Sequence, residues 1–281
     1  MEQARGEMLK DILLHLATGI QDDTTIDYAI SVALAFDAHL AGAAFANDEV
    51  PAALLVNGVP PLWIDEYRQQ SQDAAKAEVA RFAAAVKRAG ISAQAGWLPE
   101  SLAGAANLFA RMARRFDLSV VRRAEATQGD LAPRIIEAAL FETGRPVLVV
   151  PPGRKADFKL ERVMIGWDGS ACAARAVADA MPFLQRAKSI ELVMVVEHGG
   201  KEAPAADILQ HLARHRLAAE LEEIVAPHVK PANVLLSRAT ETAADLLVLG
   251  GYGHSRLREL VLGGVTRSAL AAATIPTLMS H

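Results

Sequence analysis

The sequence predicts an α/β protein built from two tandem open parallel five-stranded sheets flanked by helices. Three observations lead there: continuous apolar runs of four to six residues, alanine-rich helical stretches between them, and the same order in both halves of the 281-residue chain. A run without polar alternation belongs to a strand covered on both faces. Such strands, separated by helices, make parallel sheets with crossover connections.

In the first half, Ile12-Leu13-Leu14-His15-Leu16 is the opening strand, and residues 21–36 have the spacing of a helix. A strand from His39 to Ala46 follows, then one long helix over 61–89. Gly90 stops that helix, and Ile91 to Trp97 forms the next strand. Asp117 to Val121 and Pro146 to Val150 complete the set. The second half repeats the order. Val163 to Trp167 is a strand, 170–187 a helix and Ile190 to Val196 a strand. A helix near 204–215 turns Leu212, with Ala213 or Ile208, to the core and leaves His211 and His215, an i,i+4 pair that could otherwise hold a metal, solvated. Leu217 to Val225 partly alternates, as a half-exposed edge strand does. Asp245 to Leu249, a glycine-rich loop, a helix from Val265 and a last run at Pro276 to Met279 close the chain. The proline- and charge-rich segment Pro151-Pro152-Gly153-Arg154-Lys155 separates the halves, giving domains over 1–151 and 160–281.

Bulk properties exclude several functions. A net charge of -4 with no basic cluster argues against nucleic acid or a membrane surface as partner. Aromatics at 5% are too few for base-stacking platforms. Cys172 is the only cysteine, which rules out intrachain disulfides and cysteine-based zinc sites and fits a reducing compartment. The N-terminus has acids among its bases, unlike a signal peptide, and no run approaches the ~20 apolar residues of a membrane helix. The expected location is the cytoplasm.

The chemistry concentrates in Gly250-Gly251-Tyr252-Gly253-His254-Ser255-Arg256, then Leu257 to Leu262, then Gly263-Gly264-Val265-Thr266-Arg267. A buried strand precedes this stretch and a helix follows it. Glycines let the backbone approach a ligand with successive N–H groups aimed at anionic oxygens, and a helix N-terminus adds positive partial charge. In open parallel sheets ligands bind beyond the carboxyl ends of the strands, where this loop and Asp168 both fall. The spacing is neither that of a P-loop nor that of a dinucleotide fingerprint. A structural turn kept without ligand is the alternative.

Gly250-x-x-Gly253-x₉-Gly263, preceded by Ala-Asp-Leu-Leu-Val-Leu and ending Gly-Gly-Val-Thr-Arg, resembles the nucleotide-binding loop of universal stress proteins. Val163-Met164-Ile165-Gly166-Trp167-Asp168-Gly169-Ser170 resembles the first strand and acidic turn of the same family. The resemblance is strong from about residue 160 and weak before it. It implies an adenine-nucleotide α-hydrolase-like, Rossmann-like fold and an ATP-type ligand, with or without Mg²⁺. By position it places Asp168 beside the adenosine and Val195 near the base through its backbone. Gly250 and Gly253 would approach the ribose and phosphates, and Gly263, Gly264, Val265 and Thr266 would cup the phosphates. The family pattern has Ser or Thr where this chain has Gly264, so one hydroxyl donor is missing. The resemblance also implies that Val147–Val150 and Thr277–Met279 meet as the last strands of an intramolecular pseudo-dimer, and two chains are expected to associate further.

The first half departs from this pattern. Ala17 stands where Asp168 stands in the repeat, and Arg122-Arg123-Ala124-Glu125-Ala126-Thr127 replaces the glycine run. The arginines read as a solvated charged loop, with an anion site of another design as the alternative. His254 reads as stabilising its loop, and Arg256, Arg258 and Arg267 as surface pairs or phosphate neighbours, with Glu259 available to pair. Cys172 lies behind Ser170, a candidate N-cap, and reads as an inert thiol against the alternative of a thiolate activated by the helix end. No catalytic triad or carboxylate pair emerges. The expected function is an ATP-binding, stress-response regulatory module. The rivals are a slow ATPase or phosphotransfer enzyme, and a scaffold for another ligand or partner.

Overall fold

The computed structural model describes residues 9–20, 24–48, 61–123, 130–153, 158–196, 205–251 and 273–281. These fall into two compact units, one made chiefly of residues 10–143 and the other of 144–151 with 158–281.

The first unit contains β1 (Asp11–Leu16), α1 (Thr25–Phe36), β2 (His39–Asn47), α2 (Pro61–Ala89), β3 (Ala93–Glu100), α3 (Leu102–Ala113), β4 (Leu118–Arg122) and α4 (Ala132–Glu142). Its strands lie in the order β3-β2-β1-β4. The pairs β1–β2, β2–β3 and β1–β4 are all parallel. The continuous apolar runs are covered on both faces, as expected: Ile12, Leu13 and Leu14 are fully buried, as are Leu118, Val120 and Val121. α1 ends at Asp37, which takes the left-handed conformation (φ 51°) and sends its N–H back to the carbonyls of Ala33 and Leu34. α2 ends at Gly90, whose φ of +67° is the conformation a side chain resists. β3 runs three residues beyond the expected Trp97 end, through Pro99. It lies at the end of its strand order, where one side of the ladder makes no demand on an N–H and proline is tolerated.

The second unit contains β5 (Val147–Val150), β6 (Arg162–Gly166), α5 (Ala171–Leu184), β7 (Ser189–Val196), α6 (Ala205–Arg214), β8 (Ala219–Val225), α7 (Pro231–Glu241), β9 (Leu246–Gly250) and β10 (Thr277–Ser280). The strand order is β5-β10-β9-β6-β7-β8. β6, β7, β8, β9 and β10 run parallel in their pairs. β5 pairs antiparallel with β10, setting Val149 opposite Thr277 and Val147 opposite Met279. The two runs meet as the resemblance implied, and β5 and β10 both belong to the second unit. β8 is half-exposed at the end of the order, as its alternation predicted. α6 buries Ile208 and Leu212 and leaves His211 and His215 exposed, their rings 4.8 Å apart. The helix expected from Val265 lies outside the described residues.

One carboxylate device occurs in both units. Asp117, just before β4, accepts the backbone N–H groups of Lys10 and Asp11 at 2.9 and 3.0 Å. Asp245, just before β9, accepts those of Glu161 and Arg162 at 2.9 and 3.1 Å. Each aspartate ties the start of one strand, β1 or β6, to its parallel neighbour, β4 or β9.

Candidate functional site

The candidate site of the second unit lies where the strand order turns back. From β6 the chain proceeds outward through β7 and β8, then returns to the other side as β9 and β10. The carboxyl ends of β6 and β9 are therefore adjacent strands whose connections leave in opposite directions, the position at which open α/β sheets form ligand crevices. Gly166 at the end of β6 stands beside Leu249, one residue before Gly250.

Asp168 lies exposed just past β6, and its Oδ1 accepts the N–H of Ser170 at 2.9 Å. Gly169 between them has φ +72°, so the turn requires a residue free to adopt the left-handed region. Ser170 is the N-cap of α5, its Oγ accepting the N–H of Ala173 at 3.1 Å. Asp168, Gly169 and Ser170 thus form one tight corner that presents an exposed carboxylate just past the carboxyl end of β6. Trp167, immediately before it, donates its backbone N–H to the Val193 carbonyl at 2.9 Å. The Trp167 side chain packs against Met194, Val196 and Ala205. Val195 is half-buried, and its side chain joins the cluster around Leu235, Met164 and Leu247.

Gly250 has a packing reason for being glycine. A Cβ placed there would stand 2.5 Å from the Ala173 nitrogen and 2.6 Å from the Cys172 carbonyl carbon. The end of β9 therefore touches the backbone of the first turn of α5, and only a residue without a side chain fits. Gly251 donates its N–H to the Ser280 carbonyl at 2.7 Å. Asp168 and Gly250 are thus brought together around one helix start. Gly253, Gly263, Gly264, Val265 and Thr266 lie outside the described residues, as do His254, Arg256, Arg258, Glu259 and Arg267.

Cys172, in the first turn of α5, is half-buried. Burial pushes its thiol pKa up from the ordinary value, and the nearby Asp168 carboxylate pushes it the same way. Both favour the neutral thiol over the thiolate.

The corresponding edge of the first unit corrects one expectation. Arg122 is not part of a solvated loop: it is 1% exposed and donates through Nη2 to Asp130 Oδ2 at 3.2 Å. Asp130 also accepts the N–H of Ala132 at the start of α4, 2.9 Å away. The buried guanidinium is thereby neutralised by a carboxylate that the same fold anchors. Sequence reasoning passed over Asp130 and Glu100. The one signal available for them was an acidic residue shortly before a helix.

A parallel α/β unit whose strand order reverses beside an acidic turn and a glycine-terminated strand belongs to the Rossmann-like class of α/β folds. Comparison with known proteins narrows the second half further. Residues 159–281 match the universal stress protein family, so this part of the chain is a domain of that family. The chain is 28% identical over 162 residues to universal stress protein Slr1230 of Synechocystis sp., a match covering 55% of this chain and 53% of that protein's length. It therefore spans about half of that relative. In fold, the whole chain is similar to a universal stress protein from Archaeoglobus fulgidus, with 15% identity, 95% of each chain covered and a TM-score of 0.73. A universal stress protein solved in complex with cAMP is 24% identical over 43% of this chain and 97% of its own, with a TM-score of 0.32. Among the described residues no helix is long and apolar enough to cross a membrane.

Proposed function

We propose that the second half binds ATP or a related adenine nucleotide, and that the protein acts as a tandem universal stress protein with a regulatory role in the stress response. The observation that carries this reading is the meeting of Asp168 and Gly250 at the switch point between β6 and β9. The carboxylate is positioned to accept hydroxyl hydrogens of a ribose, and the glycine-rich stretch that leaves β9 supplies backbone N–H groups for phosphates. Gly253, Gly263, Gly264, Val265 and Thr266 hold the phosphates in this reading, and Val195 meets the base through its backbone. Domains over 1–151 and 160–281 form an internal pair through β5 and β10, the first a degenerate copy, and two chains associate further. Thermal denaturation with increasing ATP and Mg²⁺ tests the binding. A ligand at a hundred times its Kd raises stability by about 2.7 kcal/mol, a readily measured shift in Tm. Gly253→Val should abolish the shift while leaving the circular dichroism spectrum unchanged. An unmoved Tm at millimolar ATP would remove the nucleotide reading.

A further inference from the structure

We propose that His211 and His215, side by side at the end of α6, form a site for a divalent transition-metal ion, Cu²⁺ ahead of Ni²⁺ and Zn²⁺. Neither ring belongs to the Asp168 corner, so the site stands apart from the nucleotide reading. The spacing of four residues puts both side chains on one face of the helix, with Cβ atoms about 5–6 Å apart. Two features of the structure turn that spacing into a site: the distance between the rings and the backbone that carries them.

The ring centres are 4.8 Å apart. An ion about 2.0–2.1 Å from an imidazole nitrogen stands roughly 3.2 Å from the centre of that ring. Two rings at a right angle around one ion would have centres about 4.5 Å apart, and at the tetrahedral angle about 5.2 Å. The observed separation lies between these values. Both side chains are exposed, so an ion reaches them without anything leaving the core.

The backbone is held up to the second ring. The N–H of His215 donates to the Leu212 carbonyl at 2.9 Å and to that of His211 at 3.3 Å, so the last turn keeps its helical spacing. Beyond it the helix closes in a Schellman turn. Arg216 takes φ +64°, its N–H donates to the Ala213 carbonyl at 2.9 Å, and the N–H of Leu217 donates to that of Leu212 at 3.0 Å. Leu212, fully buried, anchors the same turn to the unit.

The donors set the ion. Imidazole suits Cu²⁺, Ni²⁺ and Zn²⁺, with affinity rising to Cu²⁺ and falling again at Zn²⁺, whereas Mg²⁺ and Ca²⁺ take oxygen ligands. Among the described residues no three His, Cys, Asp or Glu are grouped to hold an ion, so the protein supplies two ligands and water the rest. Arg214 and Arg216 flank His215 in sequence, which disfavours ions held by charge alone. The carbonyls at the helix C-terminus favour a cation there. α6 has 10 residues and buries only Ala205, Ile208 and Leu212. Isolated helices shorter than ~12–15 residues are marginal, so an ion bridging successive turns would hold the end of α6 in helical form.

The test titrates the untagged full chain with Cu²⁺ by calorimetry, without nucleotide, and counts the nitrogens on the bound ion by electron paramagnetic resonance. The tightest site should show two imidazole nitrogens, bind Ni²⁺ and Zn²⁺ more weakly and ignore Mg²⁺. His211→Ala and His215→Ala should each weaken it on the order of tenfold or more, because a second ligand already in place acts at high effective concentration. A double variant, Ala213→His with His215→Ala, keeps eight histidines but sets the rings two residues apart on different faces. It should bind as weakly as the single variants, and all three positions are exposed, so the circular dichroism spectrum should not change. Zn²⁺ should slow hydrogen exchange most in α6. A tightest site that either single variant leaves intact would overturn the proposal. So would one nitrogen in place of two, native affinity in the double variant, or Zn²⁺ protection that falls outside α6.

Discussion

Gly250 and Gly166 look alike in sequence, each ending a buried strand, yet their surroundings predict different tolerances. A methyl group on Gly250 would press on the α5 backbone at Cys172 and Ala173, which cannot move without shifting the helix start. A methyl group on Gly166 would meet only the δ-carbons of Leu249 and Leu235, at 2.6 and 2.9 Å. Those are ends of flexible side chains that can change rotamer. Gly250→Ala should therefore cost about 1–3 kcal/mol, the range for forced overpacking, and Gly166→Ala under about 1 kcal/mol. Urea unfolding of the two variants checks the order; equal costs would mean that the α5 turn yields as easily as a leucine. The same contact explains why Gly250 would matter even to a protein that bound no nucleotide. A glycine at a strand end is evidence for a ligand only after its packing reason has been subtracted.

Among elements, the paired aspartates before β4 and β9 are the clearest case of local sequence setting a long-range contact. Asp117 holds two backbone donors in a part-buried setting, whereas Asp245 holds its two in an exposed one. Hydrogen bonds to a charged group are worth about 1.5–3 kcal/mol when shielded and less in water. Asp117→Ala should thus destabilise by about 2–3 kcal/mol and Asp245→Ala by about 1 kcal/mol, compared by chemical denaturation. Reversal of that order would show that exposure does not govern the clamp. Most elements were legible because β1, β2, β4, β6, β7 and β9 are continuous apolar runs, which only a doubly covered strand explains. The end of β3 was not, because its exposed residues and Pro99 give no strand signal without the neighbour that pairs with them. Of the site, the Asp168 corner and its Ser170 cap were readable, being formed by residues a few positions apart. The burial of Arg122 was not, since a charge is read as solvated until its partner, here Asp130, is known to fold back on it. Nor was the approach of Gly250 to α5, which joins elements far apart in the chain.

For the molecule as a whole, each unit buries side chains of its own strands, and this bears on how a ligand should register. β1, β2 and β4 bury Leu13, Leu40 and Val120 in one, while β6, β7 and β9 bury Met164, Leu192 and Leu247 in the other. A ligand stabilises only the structure that must open for it to be lost, so nucleotide bound beside Asp168 slows opening of the second unit. Hydrogen exchange with ATP at about a hundred times its Kd should slow core amides there about a hundredfold, the equivalent of about 2.7 kcal/mol. The affected segments should be β6, β9 and the first turn of α5. Amides of β1 and β2 should exchange at their unliganded rate, because the proposed nucleotide contacts involve none of their residues. Equal protection of both units by ATP would mean that they open as a single cooperative body.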